Sequence, residues 1–513
     1  MTAPRPSARY FVSYSRSSPE DEGLADALRA GLESAGHEVF IDRGMRIGTD
    51  WVAEIEGRID WCDFLVVLLS ERSIQSEMVL GEVRMAHRKR RQDGRPQILP
   101  LRVRYDGPLD YELDSYLARV QYAHWGGAAD TSHVLSEIVA VAALEQLRDV
   151  AEAPAAFRSP PIANHLGRPQ PSEDLRPLLP GGTMKLSDEF YVRRRSDDLV
   201  EATARLIGET IAIKAPRQFG KSSLLIRYLA KCGEKGERAG GQRKRFTLVD
   251  FQNFTDSELD DYSTLLTRLA EQLLRGFRLS GLQVPRIDTQ ANLSNFIEDE
   301  ILPQVAPPLT LAFDEVDRVL GRRYQKDFFS MLRLWHNRRA EPFSPWEQVD
   351  VALVIATEPY LLIASGDRSP FNVATWIEPK PFNRAALDDL NHRYGGALGA
   401  NELDGLHELL AGHPFLTRLA FYRIGAGEAV GFDDLEARAA EPYGPFGDHL
   451  RAMLMLLQHT KGLVKGMRQL ITQGSLPDDD SYFRLHGAGL VERDNGRLKP
   501  ANLLYARFFR SLA

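Results

Sequence analysis

From Thr210 the chain passes through a short apolar run, Thr210–Lys214, into Ala215-Pro216-Arg217-Gln218-Phe219-Gly220. It then enters an apolar helical pattern through Lys221-Ser222-Ser223. A loop of this kind between a strand and a helix suits a phosphate chain, because successive backbone N–H groups and the helix N-terminus all face negative charge. Lys221 would reach the β- and γ-phosphates, and Ser222 would hold Mg2+. Gly220 lets the backbone approach closely without a Cβ, and Gln218 and Ser223 complete the candidate contacts. A second apolar run, Leu309–Phe313, ends in Asp314-Glu315. Asp314 would support the Mg2+ shell, and Glu315 would polarise an attacking water. A third run, Val351–Ala356, is followed by Thr357, placed to sense the γ-phosphate. Phosphate loop, strand-end acid pair and helix in this order predict an ATP-binding site of the Walker type, with Ala215 in place of the first glycine.

The elements that must position these residues read as alternating strands and helices. Thr210–Lys214, Phe246–Phe251, Leu309–Phe313 and Val349–Ala356 are strand candidates, and a mostly helical stretch follows to about Ala440. The last 70 or so residues read as three helices and a small hairpin with Asn495-Gly496 at its tip, which predicts a winged helix. An earlier district, Arg9 to about Ala143, shows the same alternation. Tyr10-Phe11-Val12, Val39-Phe40-Ile41, Phe64–Leu69 and Ile98-Leu99-Pro100-Leu101 are its strands, and Phe64–Leu69 is the continuous apolar run of a strand buried on both faces. Strands separated by helices predict doubly wound parallel sheets. Between the districts lie seven prolines from Pro154 to Pro180, too many for a helix or an inner strand. The expected organisation is an α/β domain over 1–145, a Pro-rich linker over 146–176, an ATPase core over 177–380, a helical lid over 381–441 and a winged helix over 442–513.

Composition narrows the function classes. A net charge of −7 argues against the chain as a whole being a nucleic-acid ligand. In the expected winged helix, Arg484, Arg493, Arg497 and Lys499 alternate with Asp478, Asp479, Asp480, Glu492 and Asp494, which makes no phosphate-binding stripe. The basic runs His87–Arg91 and Arg243-Lys244-Arg245 read as solvated faces or loops. With two cysteines, Cys62 and Cys232, a disulfide framework has too few partners, so a cytoplasmic location is expected. Trp61 and Cys62 read as packing residues. No signal peptide is visible, and no apolar run approaches the roughly 20 residues of a membrane span.

Two resemblances sharpen the reading. Residues 186–420 resemble the AAA-like ATPases related to the STAND class, through Phe190-Tyr191-Val192-Arg193, Ala215-Pro216-Arg217-Gln218 before Gly220-Lys221-Ser222, Ala356-Thr357-Glu358-Pro359, Ser369-Pro370-Phe371-Asn372 and Gly412-His413-Pro414. In that group Ala-Pro-Arg is a usual opening of the loop. The resemblance implies that Tyr191 and Val192 lie near the adenine, and that His413 and Pro414 bring a helical lid onto the nucleotide. A capping or turn role is the alternative for His413, between its Gly and Pro.

The first district resembles a TIR domain, with a flavodoxin-like sheet, over about 135 residues. Phe11-Val12-Ser13-Tyr14-Ser15-Arg16 matches the first strand and following loop. Asp42 to Trp51 matches the long loop after the second strand. Leu65–Ser70 and Ser76 to Glu82 match the third strand and the helix bearing the family's glutamate. The resemblance implies NAD+ as substrate and Glu82 as catalytic carboxylate. Met78 stands where the family usually has tryptophan, and Glu77 is the rival acid. Cleaving nicotinamide from ribose passes through an oxocarbenium-like centre, which a nearby carboxylate stabilises. Tyr14, Arg16, Arg43 and Trp51 are candidate NAD+ contacts, Trp51 equally a core residue.

Together these readings give an ATP-regulated effector, self-associating through its TIR and ATPase domains, that hydrolyses NAD+ in bacterial antiviral defence. ATP/ADP would be the regulatory nucleotide, Mg2+ the metal, and the trigger an unnamed partner or ligand. The alternative is a non-catalytic TIR scaffold whose assembly the ATPase times.

Overall fold

The computed structural model describes residues 7–16, 18–41, 51–107, 109, 113, 116–117, 120, 122–148, 179–234, 243–356, 373–458, 460, 462–494 and 496–512. They form two compact units: the described residues of 1–180 with those of 441–459, and those of 181–440 with those of 460–511.

In the first unit β1 (Arg9–Ser13), α1 (Pro19–Ser34), β2 (Glu38–Ile41), α2 (Trp51–Trp61), β3 (Phe64–Leu69), α3 (Glu77–Asp93), β4 (Gln97–Val103), β5 (Ala123–Trp125) and α4 (Thr131–Arg148) follow one another. The strands form one parallel sheet in the order β2-β1-β3-β4-β5. β3 is buried at every position, as its unbroken apolar run predicts for a central parallel strand. α1 starts where the Ser18 side chain accepts the Asp21 N–H and Pro19 sets the first turn. It buries Leu24, Ala25, Leu28 and Leu32 on one face. α3 is capped by the Ser76 side chain, which accepts from Val79 N, and ends at Gly94. Cys62 is buried, with its thiol donating to Ile59 O at 3.4 Å. Burial pushes that thiol up to about 12, so it packs and does not react.

The second unit carries α5 (Arg195–Ala204), β6 (Thr210–Lys214), α6 (Lys221–Cys232), β7 (Arg245–Asp250), β8 (Leu309–Asp314), β9 (Val349–Ile355) and β10 (Thr375–Ile377). Its sheet is also parallel, in the order β10-β6-β9-β8-β7. Phe251, Phe313, Phe328, Trp335 and Trp346 belong to one large core, within which Trp335 and Trp346 stack at 5.0 Å. Helices Arg384–Arg393, Ala400–Leu410 and α7 (Pro414–Gly425) follow. Helices Leu463–Gln473 and Asp479–Gly487, the hairpin of β11 (Val491–Asp494) with β12 (Arg497–Pro500), and a helix Leu503–Ser511 complete the unit. On the hairpin Lys499 pairs with Glu492 and Asp494.

The two basic runs differ. In the first, Arg88 and Arg90 are exposed, and Lys89 pairs with Asp60 and Asp93. In the second, Arg243 and Arg245 are exposed as expected of a solvated face, and Lys244 departs from it. Lys244 is buried, and its Nζ donates to Asp350 Oδ2 at 2.5 Å and to Leu206 O. Asp350 is buried in β9 and also accepts from Glu209 N at 2.8 Å and from Thr310 Oγ1 at 3.2 Å. With the carboxylate so bonded the ammonium is tolerated inside, but removing one partner strands the other. Asp350→Ala is expected to cost about 3–5 kcal/mol of unfolding free energy in urea titrations. Replacing both members by apolar residues of similar size should restore most of the loss.

Candidate nucleotide-binding site and N-terminal cleft

The β6–α6 turn brings Lys221, Ser222, Asp314 and Glu315 together. Gly220 is the N-cap of α6 in the left-handed region, φ 82°. A Cβ there would lie 3.2 Å from Arg194 Nη2, so the glycine serves both the turn and the close approach. The first-turn N–H groups of α6 are left without helical partners. Lys221 is 5% exposed and its Nζ donates to Pro216 O at 2.9 Å. Burial lowers its pKa, while Glu315, Asp317 and Asp314 pull the other way. The Ser222 hydroxyl bonds to Asp314, whose carboxyl burial lifts to about 6 despite that bond. Burial, and next the charge of Asp317, lifts Glu315 to about 7. Asp250 lies opposite Asp314 in the sheet register and adds like charge.

A hydroxyl bonded to a desolvated carboxylate beside a second acid fits a hard divalent cation such as Mg2+, which takes few protein ligands and completes its shell with phosphate and water. No group of three or more His, Cys, Asp and Glu able to cage a metal occurs among the described residues. Ser223 faces elsewhere. Its hydroxyl accepts the Met184 N–H at 2.9 Å, leaving its backbone N–H for the loop. Gln218 is held at φ 63° with its Oε1 buried.

Tyr191 is buried, its hydroxyl donating to Asp197 at 2.5 Å and its ring covered by Arg227 at 3.1 Å. Val192 is buried too. His413 caps α7: its Nδ1 accepts from Leu416 N at 3.5 Å, and Pro414 opens the helix. The capping alternative is therefore what the backbone shows, yet the same ring meets Phe219 of the phosphate loop edge-on at 4.7 Å. Thr357 lies outside the described residues, as do Glu358, Pro359 and Ser369–Asn372.

Two contacts escaped the sequence reading. Arg194 Nη1 donates to Phe219 O at 2.9 Å, laying a guanidinium along the loop. Its neighbour Arg193 pairs instead with Asp198 and Glu201, so the Arg193-Arg194-Arg195 run was the available signal. Gly489, at φ 77° ahead of the hairpin, lies so close to the loop that a Cβ would meet Pro216 Cβ at 2.7 Å. No local pattern announces that contact.

In the first unit Glu82 is 4% exposed on the second turn of α3 and accepts the Ser13 hydroxyl at 2.5 Å. Ser13 ends β1 and pairs with Val67 of β3. In the strand order 2-1-3-4-5 those two strands flank the topological switch point, where such sheets bind ligands beyond their carboxyl ends. Met78 is buried, so the helix start packs without tryptophan. Glu77 lies apart from Glu82, its Oε2 3.5 Å from His449 Nδ1. Tyr14 is buried, and the Arg16 guanidinium lies 4.0 Å over the Tyr443 ring. Trp51 opens α2, but its side chain and all of Arg43 lie outside the described residues. Beneath the β1–α1 turn, buried Asp21 accepts the Ser70 hydroxyl at 2.7 Å. Burial lifts Asp21 to about 6 although Ser70, Ser18 and Ser15 bond it.

The molecule is thus a P-loop ATPase-type α/β unit joined to a flavodoxin-like parallel-sheet domain. The AAA-like domain model matches residues 179–511, well over half of the chain, which therefore belongs to that family, and the TIR domain model matches residues 11–138. A Walker-type ATPase of Pyrococcus abyssi is similar at 17% identity, covering 66% of this chain and 99% of its own, with a TM-score of 0.47. The ORC2 protein of Aeropyrum pernix is similar at 12% identity, covering 63% and 95%, with a TM-score of 0.38. A STAND protein with a tetratricopeptide repeat sensor from Pyrococcus horikoshii shares 14% identity over 63% of this chain and 43% of its own, with a TM-score of 0.28. A search of curated proteins finds no match. No helix among the described residues is long and apolar enough to cross a membrane.

Two measurements check these sites. Lys221→Ala should weaken ATP binding roughly 30-fold or more in calorimetric titration, since a charge-assisted phosphate contact is worth about 2–3 kcal/mol. Asp21 has a folded pKa above its unfolded one, so its contribution is full below about pH 4 and is lost as pH rises through about 6. The loss is on the order of 3 kcal/mol at about 1.4 kcal/mol per unit. Urea unfolding from pH 4 to 7 should show the natural chain losing about that much more stability than Asp21→Asn, in which the slope left by Asp314 and Glu315 persists.

Proposed function

We propose that the chain is an ATP-regulated, self-associating enzyme that cleaves NAD+ to nicotinamide and an ADP-ribose product, acting in bacterial antiviral defence. The observation that carries the reading is the buried Glu82 carboxylate against Ser13 at the switch point of the parallel sheet. A carboxylate there stands where a ribose would lie. As the C1′–nitrogen bond breaks, nicotinamide leaves with the bonding pair and positive charge grows on the ribose. A buried anion stabilises that charge far more than one in water does. Water then adds at C1′ and gives up a proton, which balances the hydrolysis. The Ser13 hydroxyl orients the carboxylate, and Arg16 supplies a cation for the pyrophosphate.

The nucleotide site supplies control. Lys221 and the first-turn N–H groups bind phosphate, Ser222 and Asp314 hold Mg2+, and Arg194 sets the loop. We read the helices after Leu463 with the β11–β12 hairpin as a winged helix. Its Gly489 seat on Pro216, like the His413–Phe219 contact, ties the helical elements to the loop. A difference of a few kcal/mol between nucleotide states is enough to shift such an equilibrium.

The test is nicotinamide release from NAD+ by the full chain with ATP and Mg2+. Glu82→Gln keeps the size and the Ser13 contact and should cut release roughly 100-fold or more; Lys221→Ala should reduce it through the switch. Release unchanged in Glu82→Gln would remove the assigned role. No release from the natural chain at concentrations that drive assembly would leave the scaffold reading.

A further inference from the structure

Residues 441–459 belong to two things at once. They fall inside the stretch matched by the AAA-like domain model, 179–511, yet they fold with the first unit. Within them, α8 (Gly447–Gln458) packs on α3 and touches α2. It is buried on nearly every side: His449, Leu450, Met453, Leu454, Met455 and Leu457 are all covered. An isolated amphipathic helix would leave one face to water.

Its contacts fall on the residues that matter most in that unit. Met455 Cε lies 3.2 Å from where a Cβ on Gly81 would stand, one residue before Glu82, so only glycine there admits the methionine without displacing it. His449 Nδ1 lies 3.5 Å from Glu77 Oε2 on the first turn of α3. Ahead of the helix, the Tyr443 ring takes two guanidiniums, Arg16 at 4.0 Å and Arg451 at 4.7 Å. Arg451 is itself tied down, donating to Pro442 O and to Asp448. One short segment thus stacks on the cation assigned to pyrophosphate and seats against the helix that carries the assigned carboxylate.

We propose that residues 441–458 are a built-in cap on the N-terminal cleft, seated on Arg16 and α3, that withholds NAD+ from Glu82 until it lifts. The inference rests on the NAD-cleavage reading and adds its regulation. The chain enters the cap from residue 440 and leaves it at residue 460, both in the nucleotide-binding unit, so a rearrangement there pulls on both ends of the segment. The individual contacts are small: one ring between two cations, one thioether on a glycine and one imidazole beside a carboxylate. A seat built of such contacts is one that a modest bias between two states can empty.

The experiment uses the full chain with two cap variants, Tyr443→Ala at a partly exposed position and Met455→Asp in the seat, with Met455→Leu as the conservative control. Nicotinamide release is measured without and with ATP and Mg2+, and amide hydrogen exchange is followed over residues 77–90. In both disruptive variants, exchange over 77–90 should speed up several-fold and release without ATP should rise at least tenfold, while Met455→Leu stays as the natural chain. If exchange is unchanged in Tyr443→Ala and Met455→Asp, the segment is not seated by these contacts and the cap is overturned. If exchange speeds up, and the natural chain with ATP releases nicotinamide but the ATP-free variants release no more than the ATP-free natural chain, the segment covers without gating and the cap is again overturned. If no chain releases nicotinamide under any condition, the NAD-cleavage reading has failed and the cap falls with it, an outcome distinct from the other two.

Discussion

A parallel strand cannot turn straight back on itself; it must hand the chain to a crossover at its carboxyl end. That constraint places almost every side chain with chemistry in this protein. Ser13 ends β1, Asp314 ends β8, and the phosphate loop is the chain leaving β6. These strand ends are buried, Ser13 at 1% and Asp314 at 6% exposed. A carboxylate held there needs a hydrogen-bond donor. Ser13 supplies one to Glu82, and Ser222 supplies one to Asp314.

Buried charge is handled in three ways, and each has a different consequence. Lys244 and Asp350 neutralise one another and share further hydrogen bonds with Leu206, Glu209 and Thr310, which is a solution for a static core. Asp21 has hydroxyl donors, and burial still lifts its carboxyl to about 6. Asp314 and Glu315 sit beside Lys221, whose ammonium is folded back on Pro216 O. Burial raises both carboxyls even with that ammonium nearby, and a bound cation would favour their ionised form. Full compensation suits structure; incomplete compensation is what makes a site bind.

The sequence carried the parts whose pattern is local. The loop from Ala215 to Ser222, the buried run Phe64–Leu69 and the strand-end pair Asp314-Glu315 each need only a few consecutive residues to be legible. β5 and β10, three residues apiece, are too short to show a period. Lys244 looked like a surface charge because its partner lies over a hundred residues away in β9. Arg194 was hidden in a triplet in which only geometry separates the arginine on the loop from the one paired with Asp198 and Glu201. Glu82 needed a family resemblance to be chosen over Glu77, since both are glutamates on one helix. The fold then separates them, one bonded to a strand end and the other beside His449.

The last stretch of the chain divides between the two units. Residues 442–513 read as one helical module with a hairpin, yet packing assigns 441–459 to one core and 460–511 to another. A helix that is buried on nearly all sides must find cover beyond its sequence neighbours, and α8 packs on α3. The following elements reach the phosphate loop instead, through Gly489 on Pro216. One continuous segment therefore makes close contacts beside both candidate chemistries, each at a glycine whose missing Cβ admits the neighbour. The two contacts differ in stiffness: an added Cβ at Gly489 would collide with the Pro216 ring at 2.7 Å, whereas at Gly81 it would meet only the flexible end of Met455, at 3.2 Å.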